Sequence, residues 1–394
     1  MRTADVIVIG AGINGVSTAF HLAQAGVKNV VVVERGYLGS GSTGKSGALV
    51  RTNYANVAET QLAAESLTYF KHWEELVGGS CGYQPVGLLF FTKPEFHTQL
   101  EANVAMHHRL GVNTQIITAS DAHELDPSLF VDDVTHVVYE PESGYADPNA
   151  TTFSFAHAAQ QRGVTFLFDT IATQILTEGE RVIGVETTRG TIAAPVVVII
   201  AGAWANQLFA PLGIDLGLVP RRAEIAIFRW PHDRSQRHLT YLDRIHQMWV
   251  RPIDGNCSLV GVDSDLFQPG NPDAYNEAVS QAYINLCRYT LSQRFPVMQH
   301  GSMRGNWACM LMQSPDAHPI IDTLAPYEGL FSMTGDSGTS FKTGPAIGKC
   351  LAEWITEGRA RTVDLTPFRA TRFAEGKPWQ EEFTYGFVPP TVAR

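Results

Sequence analysis

The stretch DVIVIGAGINGVSTAFHLAQAGVKNVVVVE, residues 5–34, constrains the fold more than any other. The apolar run Val6 to Ile9 predicts a buried strand that enters Gly10-Ala11-Gly12-Ile13-Asn14-Gly15. A helical run follows, then a second apolar strand, Val30 to Val33, ending in Glu34. This is a GxGxxG fingerprint in a full βαβ context, which a lone glycine pattern would not be. Gly10 permits the tight turn, Gly12 lets backbone approach a pyrophosphate, and Gly15 lets helix and strand pack closely. Unpaired N–H groups at the helix start, Ile13 and Asn14 included, favour phosphate. Glu34 is placed to accept hydrogen bonds from a ribose diol, and Arg35 beside it is counted with the cofactor residues.

At 394 residues the chain is long enough for two or three domains, and an apolar fraction of 44% suits a sizeable core. The longest apolar run, Val196 to Ala203, falls well short of the ~18 residues of a membrane span and reads as a strand. The first strand begins at Asp5, so no signal peptide is expected. Lys and Arg number 29 against 39 Asp and Glu, a net charge of −10 without basic clusters, which argues against nucleic acid as a partner. Five widely spaced cysteines, an odd number, point to reduced thiols in a cytoplasmic setting, with neither a disulfide framework nor a metal site.

Residues 39–46, Gly-Ser-Gly-Ser-Thr-Gly-Lys-Ser, match the P-loop pattern GxxxxGK[ST] literally. A P-loop follows its own strand directly and opens a helix. Here Arg35 to Leu38 intervene, and Gly47 to Tyr54 makes a poor opening helix. The better reading is a small-residue loop lying against the cofactor, with Ser42, Thr43, Ser46 and Gly47 at its surface. Arg51 follows that loop and so passes close to whatever the cofactor reacts with.

Residues 57–76 carry an amphipathic helical pattern. Strands are expected at Val86 to Phe91 and Val134 to Tyr139, with a helix from Pro94 to Leu110 between them and another from Asn149 to Gln161. The histidines between 97 and 136 lack metal-site spacing. Strands follow at Val164 to Phe168, Ile171 to Leu176, Val182 to Thr188 and Val196 to Ile200. The last runs into Ala201-Gly202-Ala203-Trp204, small residues suited to a second approach to the cofactor. Ala223 to Phe228, Met248 to Arg251 and Cys257 to Asp263 predict one antiparallel sheet, and Tyr275 to Leu291 a helix. This interleaving suggests two domains, each assembled from separated segments.

The second strong signal is Gly335-Asp336-Ser337-Gly338-Thr339-Ser340-Phe341-Lys342, a glycine-rich loop after the strand Leu330 to Met333 and before a helix from Lys349 to Ile355. A glycine loop so far from the first suits a long cofactor touched at both ends, FAD rather than NAD. No second GxGxxG exists for NAD(P)H, so the electrons come from the substrate.

Together with SGALVRTNY, SGYADP, VVVIIAGAW, CMLMQSPDAHPIID and MTGDSGTSFKTGPAIG, these motifs make the chain resemble, over nearly its whole length, the D-amino-acid-oxidase-like FAD-dependent oxidoreductases. Within them it resembles the sarcosine oxidases, including the β subunit of the heterotetrameric kind, and glycine oxidase. The resemblance implies an α/β (mixed α+β) fold. Its parts are a Rossmann-like FAD-binding domain of the glutathione-reductase type (1–84, 143–220, 305–394) and an interleaved antiparallel-sheet substrate domain (85–142, 221–304). It implies oxidation of a C–N bond of a small amino acid or N-alkyl amino acid, with Arg51 and Lys342 clamping the substrate carboxylate. Cys309 falls where some relatives attach FAD covalently, but Ala48 replaces an arginine that accompanies the attachment, and non-covalent FAD is expected. Leu259 stands where an oxygen-activating lysine would be and Asp263 where a substrate-site histidine would be. The electron acceptor is thus O2 or another molecule. Two further readings stand beside this one, oxidation of a hydroxy acid and a flavin-binding subunit of a larger amine dehydrogenase complex.

Overall fold

The computed structural model describes residues 2–234, 237–263 and 268–385. The remaining residues, which the expected domain ranges include, lie outside the described set. The fold is mixed α/β and is organised by two large sheets. The six-stranded sheet runs in the order Ile320–Thr323, Leu330–Thr334, Val196–Ile199, Val6–Ile9, Val30–Val33, Thr165–Leu167. All its pairings are parallel except that of Ile320–Thr323 with Leu330–Thr334. Both faces are covered, which is why its central strands are apolar at every position. Val6, Val8, Val30 and Val32 face a core shared with the first helix, Ile13–Gln24, and the helix Gly344–Glu357. Ile7, Ile9, Val31 and Val33 face the opposite core, closed by Ile175, Val182 and Leu208.

The eight-stranded sheet runs in the order Ser302–Gln313, Val219–Arg229, Cys257–Val262, Met248–Ile253, Thr240–Asp243, Leu88–Phe91, His136–Glu140, Gln115–Thr118. It is antiparallel except where Thr240–Asp243 meets Leu88–Phe91. The chain therefore passes from the first sheet to the second and back twice. Two long strands, Val219–Arg229 and Ser302–Gln313, pair along most of their length and carry the chain between the two sheets.

Most expected elements are present, with shifted ends. The helix expected from Tyr275 begins at Gln281, where Ser280 caps it by accepting a hydrogen bond from the Tyr283 amide. Residues 275–280 are drawn out of the helical register by tertiary bonds: the Asn276 and Ala278 carbonyls accept from the Arg222 guanidinium. The strand Ser302–Gln313 was not expected; its side chains do not alternate cleanly in polarity. Thr240–Asp243 and Gln115–Thr118 were likewise unforeseen.

Candidate active site

The strand Val6–Ile9 ends at the centre of the six-stranded sheet, where the next strand over is Val196–Ile199. A Cβ on Gly10 would lie 2.2 Å from the Ile200 carbonyl oxygen, and Gly10 sits at φ 110°, so only glycine serves there. A Cβ on Gly15 would lie 2.0 Å from the Gly10 carbonyl oxygen. Gly15 thus sets the helix hard against the turn and does not line the cavity itself. The helix starts without a side-chain cap. The Ile13 amide donates to Thr43 Oγ1 at 3.2 Å, bringing the small-residue loop against the helix start.

Two cavities open here, with about 1020 Å³ and about 970 Å³ of empty space. They share Ile13, Ser42, Thr43, Asp336 and Ser340 as walls and so form one elongated channel. The first is lined by Gly10, Gly12, Asn14, Glu34, Arg35, Ala201, Gly202, Trp204 and Gly335. The second is lined by Ser46, Gly47, Arg51, Cys309, Gly338, Thr339, Phe341 and Lys342. Residues as far apart in sequence as Gly10 and Lys342 thereby meet in one groove. Every residue singled out from the sequence for cofactor or substrate lies on it, save Gly15.

At the first end, Glu34 is buried and accepts from the Ala11 and Gly36 amides, both at 2.8 Å. Arg35 lies 4.4 Å over the Trp204 ring and pairs with Asp273 at 2.7 Å. Asp273 also accepts from Trp204 Nε1 and Gln207 Nε2, at 2.8 and 2.6 Å. At the junction, Asn14 Nδ2 donates to Ser340 Oγ at 2.9 Å, while the buried Asn14 Oδ1 has no hydrogen-bond partner among the described residues.

At the second end, Arg51 and Lys342 flank one aromatic ring, their cationic groups 4.4 and 5.4 Å from the Tyr54 centroid. Both are buried. Arg51 Nη1 donates to the Asn53 carbonyl, and Nη2 has no partner among the described residues. Lys342 Nζ donates to the Thr339 carbonyl at 2.9 Å. Burial, and then the positive charge of Arg51, hold the Lys342 ammonium well below its ordinary pKa. Cys309 is buried, and desolvation pushes its thiol up to about 12, so the thiolate is scarce at neutral pH. All five cysteines are free.

These observations fit a flavin dinucleotide. The groove is long, its glycines leave no room for a Cβ beside the helix start, and it offers unpartnered polar atoms at its junction and far end, Asn14 Oδ1 and Arg51 Nη2.

Several lining groups were not singled out from the sequence. Lys45, inside the P-loop-like string, is held by Tyr275 Oη at 2.8 Å and by Glu277 at 2.5 Å. Trp249, Leu242 and Glu224 come from the eight-stranded sheet, and only its register places them on the cavity. Apart from the channel, His318 lies 3.0 Å from Glu59 and 3.6 Å from Glu381. Asn56 Nδ2 bridges the two carboxylates and Trp379 stacks on the imidazole, which ties the C-terminal segment to the helix Val57–Lys71. No described helix is long and apolar enough to cross a membrane.

Residues 5–354 match the family DAO, FAD dependent oxidoreductase. Sarcosine oxidase subunit beta of Rhodobacter capsulatus is 25% identical over 97% of this chain and 91% of that protein. Human mitochondrial sarcosine dehydrogenase is 28% identical over 94% of this chain but only 41% of its own length. Among solved structures, L-proline dehydrogenase from P. horikoshii superposes with a TM-score of 0.89 at 26% identity, covering 96% of this chain and all of that one. With a family match across most of its length and a channel built for a dinucleotide, the chain belongs to the DAO family of FAD-dependent oxidoreductases.

Proposed function

We propose that this protein oxidises the C–N bond of a small amino acid or N-alkyl amino acid, giving an imine that water hydrolyses to a carbonyl compound and an amine. The observation that carries the reading is the pair Arg51 and Lys342, two buried cations around Tyr54 at the far end of the channel. Bound FAD supplies a hydride acceptor at N5. Gly12 to Asn14, Glu34 and Arg35 would hold its nucleotide half; Ser42, Thr43, Ser46, Gly47 and the loop Gly338 to Lys342 would hold the flavin half. Arg51 and Lys342 then bind the substrate carboxylate and fix the C–H bond that breaks, so the chain's work is orientation and exclusion of water. FAD is held non-covalently in this reading, and acid-precipitated protein would release its yellow colour. The same reading divides the chain into a cofactor domain (1–84, 143–220, 305–394) and a substrate domain (85–142, 221–304). The crossing strands Val219–Arg229 and Ser302–Gln313 span two of those boundaries.

The named relatives support this reading. A sarcosine oxidase β subunit, a glycine oxidase and an L-proline dehydrogenase all have amino-acid names. A second reading, that the chain works beside another subunit, draws on the Rhodobacter relative's being a subunit. Anaerobic mixing of the FAD-loaded protein with sarcosine, glycine, proline, lactate and glycerol separates the alternatives. Bleaching of the flavin by an amino acid, with a carbonyl product in matching amount, is expected. Bleaching by the hydroxy compounds alone would replace the reading with alcohol oxidation. FAD binding without bleaching by any of them would favour the subunit reading.

A further inference from the structure

One stretch from the eight-stranded sheet is tied to the walls of both cavities. It is residues 271–278, in the connection between the strand Cys257–Val262 and the helix Gln281–Arg294. Asn271, Asp273, Ala274, Asn276, Glu277 and Ala278 are exposed, and no residue of the stretch belongs to a hydrophobic core. Apolar packing therefore does not decide where it lies.

Polar bonds hold it instead. At the first cavity Asp273 accepts from Arg35 Nη2 at 2.7 Å, Trp204 Nε1 at 2.8 Å and Gln207 Nε2 at 2.6 Å. All three donors line that cavity. Arg35 follows the strand Val30–Val33 and Trp204 follows Val196–Ile199, the two neighbours of Val6–Ile9 in the sheet. The guanidinium thus reaches across the end of the central strand to lie on the indole from the other side, and Asp273 binds both where they meet. At the second cavity Lys45, one of its walls, is held by Tyr275 Oη at 2.8 Å and by Glu277.

The stretch is rooted on the long strand Val219–Arg229. Before it, the Gly270 amide donates to the Pro220 carbonyl at 2.9 Å; after it, the Ser280 amide donates to Glu224 at 3.0 Å. Arg222 donates to the Asn276 and Ala278 carbonyls at 2.8 and 2.7 Å. A segment rooted on one strand and latched to the far walls by two partly exposed ion pairs is free to swing without unfolding either sheet.

We infer that residues 271–278 are a strap that gates the cofactor channel, so that FAD enters and leaves only when Asp273 releases Arg35 and Trp204 and Glu277 releases Lys45. A dinucleotide lying beneath the Arg35–Trp204 pair does not pass it while the pair is latched. Asp273 is a positioning residue in this device. It acts through groups that line the cavity and takes no part in oxidising the substrate.

The test measures both rates of FAD exchange in the full-length protein. Entry is read from the change in flavin absorption on mixing, and release from the return of free-FAD fluorescence on dilution. In the double variant Asp273→Asn with Glu277→Gln, entry and release should each be about tenfold faster, leaving Kd within about threefold of its original value. Raising NaCl from about 0.05 to about 0.5 M should speed both steps in the unaltered protein and alter them less than about twofold in the variant. Unchanged rates would overturn the inference. Faster entry with slower release would also overturn it, because that is the effect of removing two acids that merely repel the diphosphate. Faster release with unchanged entry marks an ordinary contact and has the same consequence. Urea titration of the FAD-free variant should give the midpoint of the unaltered protein; a midpoint that falls in step with faster release would assign the bonds to stability alone and overturn the gate. Neither rate depends on which substrate is oxidised, so failure here leaves the proposed amine oxidation untouched.

Discussion

Two buried arginines in this molecule have similar surroundings and opposite accounts of their charge. Arg51 lies 4.4 Å over the Tyr54 ring, and Arg294 lies 4.2 Å over Phe91. Arg294 is satisfied by its own chain. Nε donates to Asp243 at 2.8 Å, Nη1 and Nη2 form a fork on Asp133 at 2.8 and 3.0 Å, and the Phe130 carbonyl takes a further bond. Arg51 has no carboxylate partner among the described residues, and its Nη2 donates to nothing among them. A buried charge that its own protein leaves unbalanced is costly, and the cost persists in a fold only where something else supplies the balance. Arg294 belongs to the architecture, whereas the function proposed above gives Arg51 an anion that arrives from outside.

The comparison can be broken most forcefully at Arg294. Arg294→Met strands Asp243, whose carboxyl is held at about 2 by the His246 hydrogen bond and the Arg294 charge against the opposing pull of burial. A loss of about 3–5 kcal/mol in unfolding free energy is expected from urea titration. A loss below about 1 kcal/mol would show that the pair is dispensable. Arg51→Met should do the reverse. The unfolding free energy should hold or rise, while flavin reduction by the true substrate slows about a hundredfold, ~2.7 kcal/mol. An Arg51 variant that unfolds readily would erase the distinction between the two arginines.

A smaller effect sharpens the picture. Burial and the neighbouring Arg51 charge lower the Lys342 pKa, so its ammonium is lost on raising the pH sooner than an ordinary lysine's. Binding of a carboxylate ligand should therefore weaken with rising pH well before the ordinary lysine range. In Arg51→Met the weakening should move to higher pH, because one of the two causes is gone. The sign for stability is also set. With the folded value lowered, the unfolded chain holds the extra proton, and this lysine's contribution to stability increases with pH up to the ordinary value. A pH profile unmoved by Arg51→Met would separate the two cations.

What could be read from the sequence was local. Gly10 to Gly15 and Gly335 to Lys342 announce themselves because a turn, a close backbone approach and a helix start must be adjacent in the chain. Arg51 and Lys342 became visible because each sits in or just after such a loop. Trp249 could not be found that way, and Asp263 was singled out only because the family resemblance puts a substrate-site histidine at its position. They reach the cavity through the pairing of Met248–Ile253 with Cys257–Val262, and nothing in either strand alone shows which face meets the cofactor loops. The helix start near Tyr275 was misplaced for a related reason. Lys45 and Arg222, from remote segments, claim the side chains and carbonyls of residues 275–278, and such bonds override local propensity.

The packing of the first helix against the helix Gly344–Glu357 sets the order in which the molecule can be made. A Cβ on Gly348 would lie 2.2 Å from Ser17 Oγ, and the strand Leu330–Thr334 pairs with Val196–Ile199 near the middle of the sheet. The nucleotide-binding half thus begins within the first thirty residues and is not closed until residue 350 or so has been added. On a ribosome adding about 5–20 residues per second, its apolar strand face waits for many seconds without its covering helix. The newborn chain is therefore most exposed to mispairing at the very segment that reads most plainly as a fold.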